Sequence, residues 1–212
     1  PIGGWLFPKN RQYYDKYLDF SVASDVEKSA WKESFHWFNK KISYRYPGQQ
    51  LLLKSPPHTA RIPLILELYP NAKFIHIQRH PFEVYRSFFY FYQKLVTMIN
   101  LQRLSVEEVE ETIISRYQLI YNSYFAHRSM IPKGNLVEIY YEDLEMDPLE
   151  QLEHIYCSLQ LSDFIKSKPK ISNYLETVKT YKKNSSSSLP PDLRDKLYTR
   201  WRLSFDNWRY EA

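Results

Sequence analysis

Apolar positions recur along the chain with two different periods, and the switches between them mark out its elements. Leu51, Leu52 and Leu53 form a short apolar run that ends in a cation, Lys54. Phe74–Gln78 alternates apolar and polar residues and also ends at a cation, Arg79. Between them, Ile62, Ile65, Leu66 and Tyr69 fall at helical spacing, and Pro70 stops the pattern. Strand, helix and strand with short joints predict a βαβ unit, hence parallel strands. Leu136–Tyr141 predicts a third strand beside these two.

Helix signals fill most of the remainder. Ser24 with Glu27, and Ser105 with Glu108, have the spacing of capping boxes. The first opens a helix with Trp31, Phe35, Phe38 and Ile42 on one stripe, expected to pack against the sheet. The second opens a long helix through Val106, Val109, Ile113, Tyr117, Ile120 and Tyr124. Pro81 fits the first position of a helix over Phe82–Leu95. Its run Phe88–Tyr92 is apolar on every side and reads as buried core, with an aromatic wall for a ligand as the alternative. Leu149, Leu152, Tyr156 and Leu159 mark a helix after Pro148, and Leu193, Leu197, Trp201, Phe205 and Trp208 mark a last one from Asp192. Residues 1–23 read as an irregular aromatic segment, and residues 162–191 as the least regular stretch. The expected class is α/β, with helices on the faces of a parallel sheet.

Composition narrows the chemistry. With 212 residues, 43% hydrophobic and 25% charged, the chain suits one globular domain with a substantial core. Its 29 basic and 24 acidic residues leave a net charge of +5, which suits an anionic ligand. No basic run is present that would argue for nucleic acid. The one cysteine, Cys157, excludes an internal disulfide, and no Cys/His spacing suggests zinc or another metal. No stretch has the length of a membrane span or the pattern of a signal peptide, so the expected location is the cytoplasm.

The candidate site follows from the strand ends. In open parallel sheets ligands bind beyond the carboxyl ends of the strands, where Lys54 and Arg79 fall. Two cations on one rim point to an anion. The helix that Pro81 starts would add unpaired N–H groups and the positive end of its dipole. Ser87 lies eight residues after Arg79, about two turns along. The bland alternative is a surface ion pair for Arg79 and a solvent-facing hydroxyl for Ser87.

These residues resemble a known family. Leu51–Ser87 is similar to the nucleotide-binding core of the sulfotransferases that use 3′-phosphoadenosine 5′-phosphosulfate (PAPS), most of all the broad branch found in bacteria and elsewhere. The resemblance covers roughly residues 31–210 and implies a P-loop NTPase-like parallel sheet flanked by helices, one sulfotransferase-like domain over residues 1–212. In that family an Arg at a strand end and a Ser eight residues later bind the 3′-phosphate, and Arg79 and Ser87 match them. Lys54 matches a Lys that acts near the transferred sulfuryl group. His58 matches the family's His in type but stands two residues from its place in the small-molecule branch. Tyr141, heading Tyr141–Asp143, matches a Tyr that touches the adenine. Lys182 and Lys183 are analogous to a basic segment that closes over the 3′-phosphate, although the Arg-Lys-Gly motif is absent.

The implied reaction moves a sulfuryl group from PAPS to a hydroxyl or amine on a small molecule or glycan, with no metal. Only 4 glycines occur, where average usage of about 7% gives roughly 15, and none fits a phosphate loop. The first strand and phosphate loop are thus expected upstream, making this the C-terminal portion of a longer chain. Two other classes remain open. A P-loop nucleotide or nucleoside kinase needs a Gly-rich loop and an acidic magnesium ligand, neither visible here. A non-catalytic nucleotide-binding module of the same fold would lack the donor loop.

Overall fold

The structure, a computed structural model, describes residues 3–180 and 188–211. Its chain divides into two compact units, residues 1–72 with 87–131 and residues 73–86 with 132–212.

The first unit is helical. It contains α1 (Gly3–Leu6), α2 (Gln12–Asp19), α3 (Asp25–Arg45) and α4 (Ile62–Leu68). Helix α5 (Pro81–Phe91) begins in the second unit and ends in this one, followed by a π turn over Tyr92–Val96, then α6 (Thr97–Ile99) and α7 (Val106–His127). Both capping boxes form. Ser24 Oγ accepts the Glu27 N–H at 3.3 Å while Glu27 accepts the Ser24 N–H at 2.9 Å, and Ser105 and Glu108 repeat the exchange at 3.2 and 2.8 Å.

Residues 1–23, expected to be irregular, instead carry α1 and α2. A tertiary contact holds α2: Asp15 accepts a hydrogen bond from Arg116 at 2.9 Å, besides a local one from Arg11 at 3.1 Å. Phe20, Ala23 and Leu64 form a core cluster with Tyr17 and Trp31 packed against it. The α3 stripe is corrected as well. Trp31 and Phe35 are half-buried, but Phe38 is exposed and the buried residue is Asn39, which donates to the Tyr69 hydroxyl at 3.1 Å. Along the aromatic run at the end of α5, Phe88, Tyr90 and Phe91 are exposed, while Tyr92 at the start of the π turn is buried, so the run is not enclosed on every side. A helix apolar all round has more surface than one packed face can cover.

The second unit holds the sheet. Strands β1 (Phe74–Gln78) and β2 (Leu136–Tyr140) pair in parallel, with Phe74 opposite Leu136 and Gln78 opposite Tyr140. Helices α8 (Tyr141–Met146), α9 (Pro148–Ser158), α10 (Phe164–Val178), α11 (Pro191–Arg200) and α12 (Arg202–Trp208) follow. On one face, Val137 and Ile139 pack with Ile155 of α9 and with Leu159 just after it. Ile75 and Ile77 share that face by register yet are 37% and 45% exposed, whereas His76 and Gln78 of the same strand are buried and His76 stacks on Trp208.

Three further expectations change. Leu51–Lys54 is not a strand: the described sheet has two strands, and this segment joins no ladder. A strand exists only through hydrogen bonds to a neighbour, and apolar residues alone do not supply one. The βαβ unit read over Leu51–Gln78 is therefore absent, although its helix α4 forms. Within residues 162–191, Phe164–Val178 is a helix despite Pro169 in its interior, and Phe164 packs on Tyr156 at 5.2 Å. The last predicted helix breaks at Trp201 (φ −110°, ψ 16°) into α11 and α12, with Leu197, Trp201, Phe205 and Trp208 buried as expected. Among the described residues the fold is thus helix-rich α/β with a small parallel two-stranded sheet, and no helix is long and apolar enough to cross a membrane.

Candidate functional site

Parallel pairing puts the carboxyl ends of β1 and β2 side by side. Gln78 and Tyr140 are register partners, so the residues after them, Arg79 and Tyr141, also meet. The Arg79 guanidinium lies over the Tyr141 ring, 4.4 Å from its centroid, and both residues are half-buried. A planar cation on an aromatic face is attracted by the ring quadrupole and keeps its N–H edge for an oxyanion.

His80 and Pro81 then open α5. Pro81 occupies the first turn as its fixed φ allows, and the His80 carbonyl accepts the N–H groups of Glu83 and Val84 at 2.9 and 3.1 Å. The His80 ring acts as the cap, with Nδ1 accepting the Phe82 N–H at 3.2 Å. One of the amides expected to face an anion is therefore already bonded. Burial pushes the His80 pKa down, which keeps the ring neutral and able to accept. Ser87 follows in the second turn of α5 and is exposed, on the part of the helix that belongs to the first unit.

Glu142 is the residue at this end that no sequence signal singled out. Its Oε1 accepts the His80 N–H at 3.3 Å and its Oε2 accepts the Tyr210 hydroxyl at 2.9 Å. Tyr140 in turn donates to the Trp208 carbonyl at 2.9 Å. These partners lie more than sixty positions apart in sequence, so no local pattern could have announced them. A cavity of about 290 Å³ lies within the same unit, lined by Phe82, Leu189, Pro191, Arg194, Asp195 and Tyr198, with the Arg194 guanidinium 5.2 Å over the Phe82 ring.

The other candidates lie in the first unit or outside the described residues. Lys54 is exposed on the irregular segment before the 3₁₀ turn Pro56–Ala60. His58 sits in that turn, half-buried, with its ring edge-on to Phe35 at 5.3 Å and Trp31 at 6.5 Å. Burial first, and the neighbouring Arg61 charge second, push its pKa down to about 4, and its buried Nδ1 has no hydrogen-bond partner among the described residues. His58 is therefore a neutral imidazole at neutral pH. Arg61 is itself buried, donates to the Tyr17 and Leu18 carbonyls at the end of α2, and lies between the Phe20 and Trp31 rings at 5.3 and 5.2 Å. Lys182 and Lys183 lie outside the described residues. The structure thus brings Arg79 and Tyr141 together in one unit and places Lys54 and His58 in the other. Among the described residues no group of three or more His, Cys, Asp or Glu is arranged to hold a metal ion.

Known proteins can now be set beside this geometry. The omega-hydroxy-beta-dihydromenaquinone-9 sulfotransferase Stf3 of Mycobacterium bovis (strain ATCC BAA-935 / AF2122/97) is 31% identical over 205 residues, which are 97% of this chain and 52% of that protein. The protein of the same name from Mycobacterium tuberculosis (strain CDC 1551 / Oshkosh) matches to the same extent. The chain spans about half the length of these curated relatives. No solved structure shows significant similarity. The sequence profile described as "Sulfotransferase family" matches residues 8–165, a span that runs through both units and includes the strand-end pair Arg79 and Tyr141. By that match, over more than half of its length, the chain belongs to the sulfotransferase family.

Proposed function

We propose that this chain forms part of an enzyme that transfers a sulfuryl group from PAPS to a hydroxyl or amine of a small molecule or glycan, and that its strand ends hold the nucleotide. The carrying observation is the Arg79 guanidinium stacked on Tyr141 at the adjoining ends of two parallel strands. In this reading Arg79 and Ser87 hold the 3′-phosphate, Tyr141 meets the adenine, and Lys182 and Lys183, outside the described residues, are further nucleotide-binding candidates. The two strands belong to a larger P-loop NTPase-like parallel sheet. Both units belong to one sulfotransferase-like domain, supported by a family match that crosses their boundary. The enzyme works in the cytoplasm.

The reaction needs little covalent help. The acceptor oxygen or nitrogen attacks sulfur, the bond from sulfur to the bridging phosphate oxygen breaks, and adenosine 3′,5′-bisphosphate leaves with that electron pair. Lys54 suits the charge growing on the leaving oxygen, because an ammonium is a compact point charge. His58, neutral at working pH, takes the acceptor proton.

A turnover assay on the full-length protein with PAPS tests this. The compound in the relatives' name, omega-hydroxy-beta-dihydromenaquinone-9, is the first acceptor to try. Release of adenosine 3′,5′-bisphosphate with a sulfated product is expected. Phosphoryl transfer from ATP with magnesium would replace the proposal by a kinase, and nucleotide binding without turnover on any acceptor would leave a binding module.

A further inference from the structure

The loop that presents Arg79 is held from three sides, and two of the holding groups come from far along the chain. Its N-terminal side continues from the β1 ladder. On its C-terminal side the His80 backbone N–H is accepted by Glu142 Oε1 at 3.3 Å, while the His80 ring caps α5 through Phe82. The third side is the C-terminal end of the chain. Arg209 takes a left-handed conformation (φ 55°) that turns the backbone after α12. Tyr210 then lies beside the His80 ring at 4.9 Å and the Tyr140 ring at 5.6 Å, with its hydroxyl on Glu142 Oε2. The Trp208 carbonyl accepts the Tyr140 hydroxyl at 2.9 Å.

Residues 208–210 therefore form a strap across the ends of both strands, and Glu142 is the point where strap and Arg79 loop join. A carboxylate so near a proposed phosphate subsite opposes an anion. Both of its oxygens are nonetheless engaged, one on each segment, as expected of a fastener rather than a ligand. Burial and the Glu142 carboxylate push the Tyr210 pKa up, so its hydroxyl keeps the proton it donates.

We propose that Glu142 and Tyr210 are positioning residues for Arg79: they hold its loop so that the guanidinium lies on Tyr141 with its N–H edge presented to the 3′-phosphate. This rests on the reading that Arg79 binds that phosphate. A residue that acts through another should affect only the part of the ligand which the second residue touches.

Calorimetry on the full-length enzyme, with adenosine 3′,5′-bisphosphate and adenosine 5′-phosphate as probes, tests the proposal. Glu142→Ala and Tyr210→Phe are expected to weaken the bisphosphate by about 3- to 10-fold, less than a direct charge-assisted hydrogen bond would cost, because they act through Arg79. Adenosine 5′-phosphate should bind as tightly as to the parent. Glu142→Gln keeps an acceptor for the His80 N–H and is expected to recover most of the loss. Tyr210→Phe removes one oxygen and keeps the ring packing, so it remains informative if Glu142→Ala fails to fold. Parental bisphosphate affinity in Tyr210→Phe and Glu142→Ala, alongside a loss in Arg79→Ala, would overturn the positioning role and leave the site reading intact. Equal weakening of both nucleotides would reduce the strap to general stability and also overturn it. If Arg79→Ala binds the bisphosphate like the parent, the site reading itself falls and this inference falls with it.

Discussion

Arg79 carries one charge and, in the proposed role, makes charge-assisted hydrogen bonds worth roughly 1.5–3 kcal/mol. Arg79→Ala should weaken adenosine 3′,5′-bisphosphate about 10- to 100-fold, at 1.4 kcal/mol per decade. Ser87→Ala should cost less, since one hydroxyl is lost. Adenosine 5′-phosphate, lacking the 3′ group, should bind both variants like the parent, and calorimetry with the two nucleotides reads the difference. His58 offers a second residue-scale expectation. Its pKa is pushed from about 6.5 to about 4 by burial and by Arg61, so folding favours the neutral ring. Stability from this group is fully present above about pH 6.5 and is lost as pH falls towards about 4, because the unfolded chain binds the proton more readily. Thermal melts between about pH 8 and about pH 4 should therefore slope less steeply in His58→Phe, which keeps the packing on Trp31 and Phe35 but cannot titrate. His80, also pushed down by burial, leaves part of the slope in place. Arg79 and Ser87 were singled out as candidates by a spacing of eight. The environment of His58 was not, because Trp31, Phe35 and Arg61 reach it from other turns of chain.

At the scale of elements, helices with local signals were the most readable. Ser24 and Ser105 sit where an N-cap satisfies amides that no helical carbonyl can reach, and both boxes close. Glu27 does more than complete its box: it also pairs with Lys16 and accepts the Tyr17 hydroxyl at 2.5 Å, and Lys16 foremost holds its carboxyl at about 2. Ser24→Ala should lower stability by about 1 kcal/mol, a shift of about 2–4 °C in Tm for a protein of this size. Glu27→Ala should lower Tm further than Ser24→Ala, because it detaches α2 from α3 as well as opening the cap. Equal shifts in differential scanning calorimetry would mean that the Lys16 and Tyr17 contacts add nothing. Segments without a cap or a clear period were misread. Residues 12–19 and 164–178 are helices held by what they pack on, and an interior Pro169 is tolerated there. Leu51–Lys54 went wrong in the opposite direction, since its composition favours a strand that no described neighbour pairs with.

For the molecule as a whole, a net charge of +5 and a family match across both units set the frame for an anionic co-substrate. Catalysis and binding should separate in the full-length enzyme. Lys54→Ala and His58→Ala are expected to lower kcat far more than they weaken adenosine 3′,5′-bisphosphate, because their proposed roles grow only in the transition state. Parental turnover in both variants, measured by bisphosphate release, would place the chemistry elsewhere. Sequence by itself determined what depends on neighbours a few residues away. The capped helices, the helix after Pro81, the strands Phe74–Gln78 and Leu136–Tyr140 and the Arg79–Ser87 spacing all obey rules of one to three turns. Only the tertiary structure decided which apolar run found a strand partner, why His76 and Gln78 are buried while Ile75 and Ile77 are not, and how Glu142 joins His80 to Tyr210. The reason is physical: a β ladder, a buried face and a hydrogen bond across more than sixty residues are each completed by atoms that the local sequence does not contain.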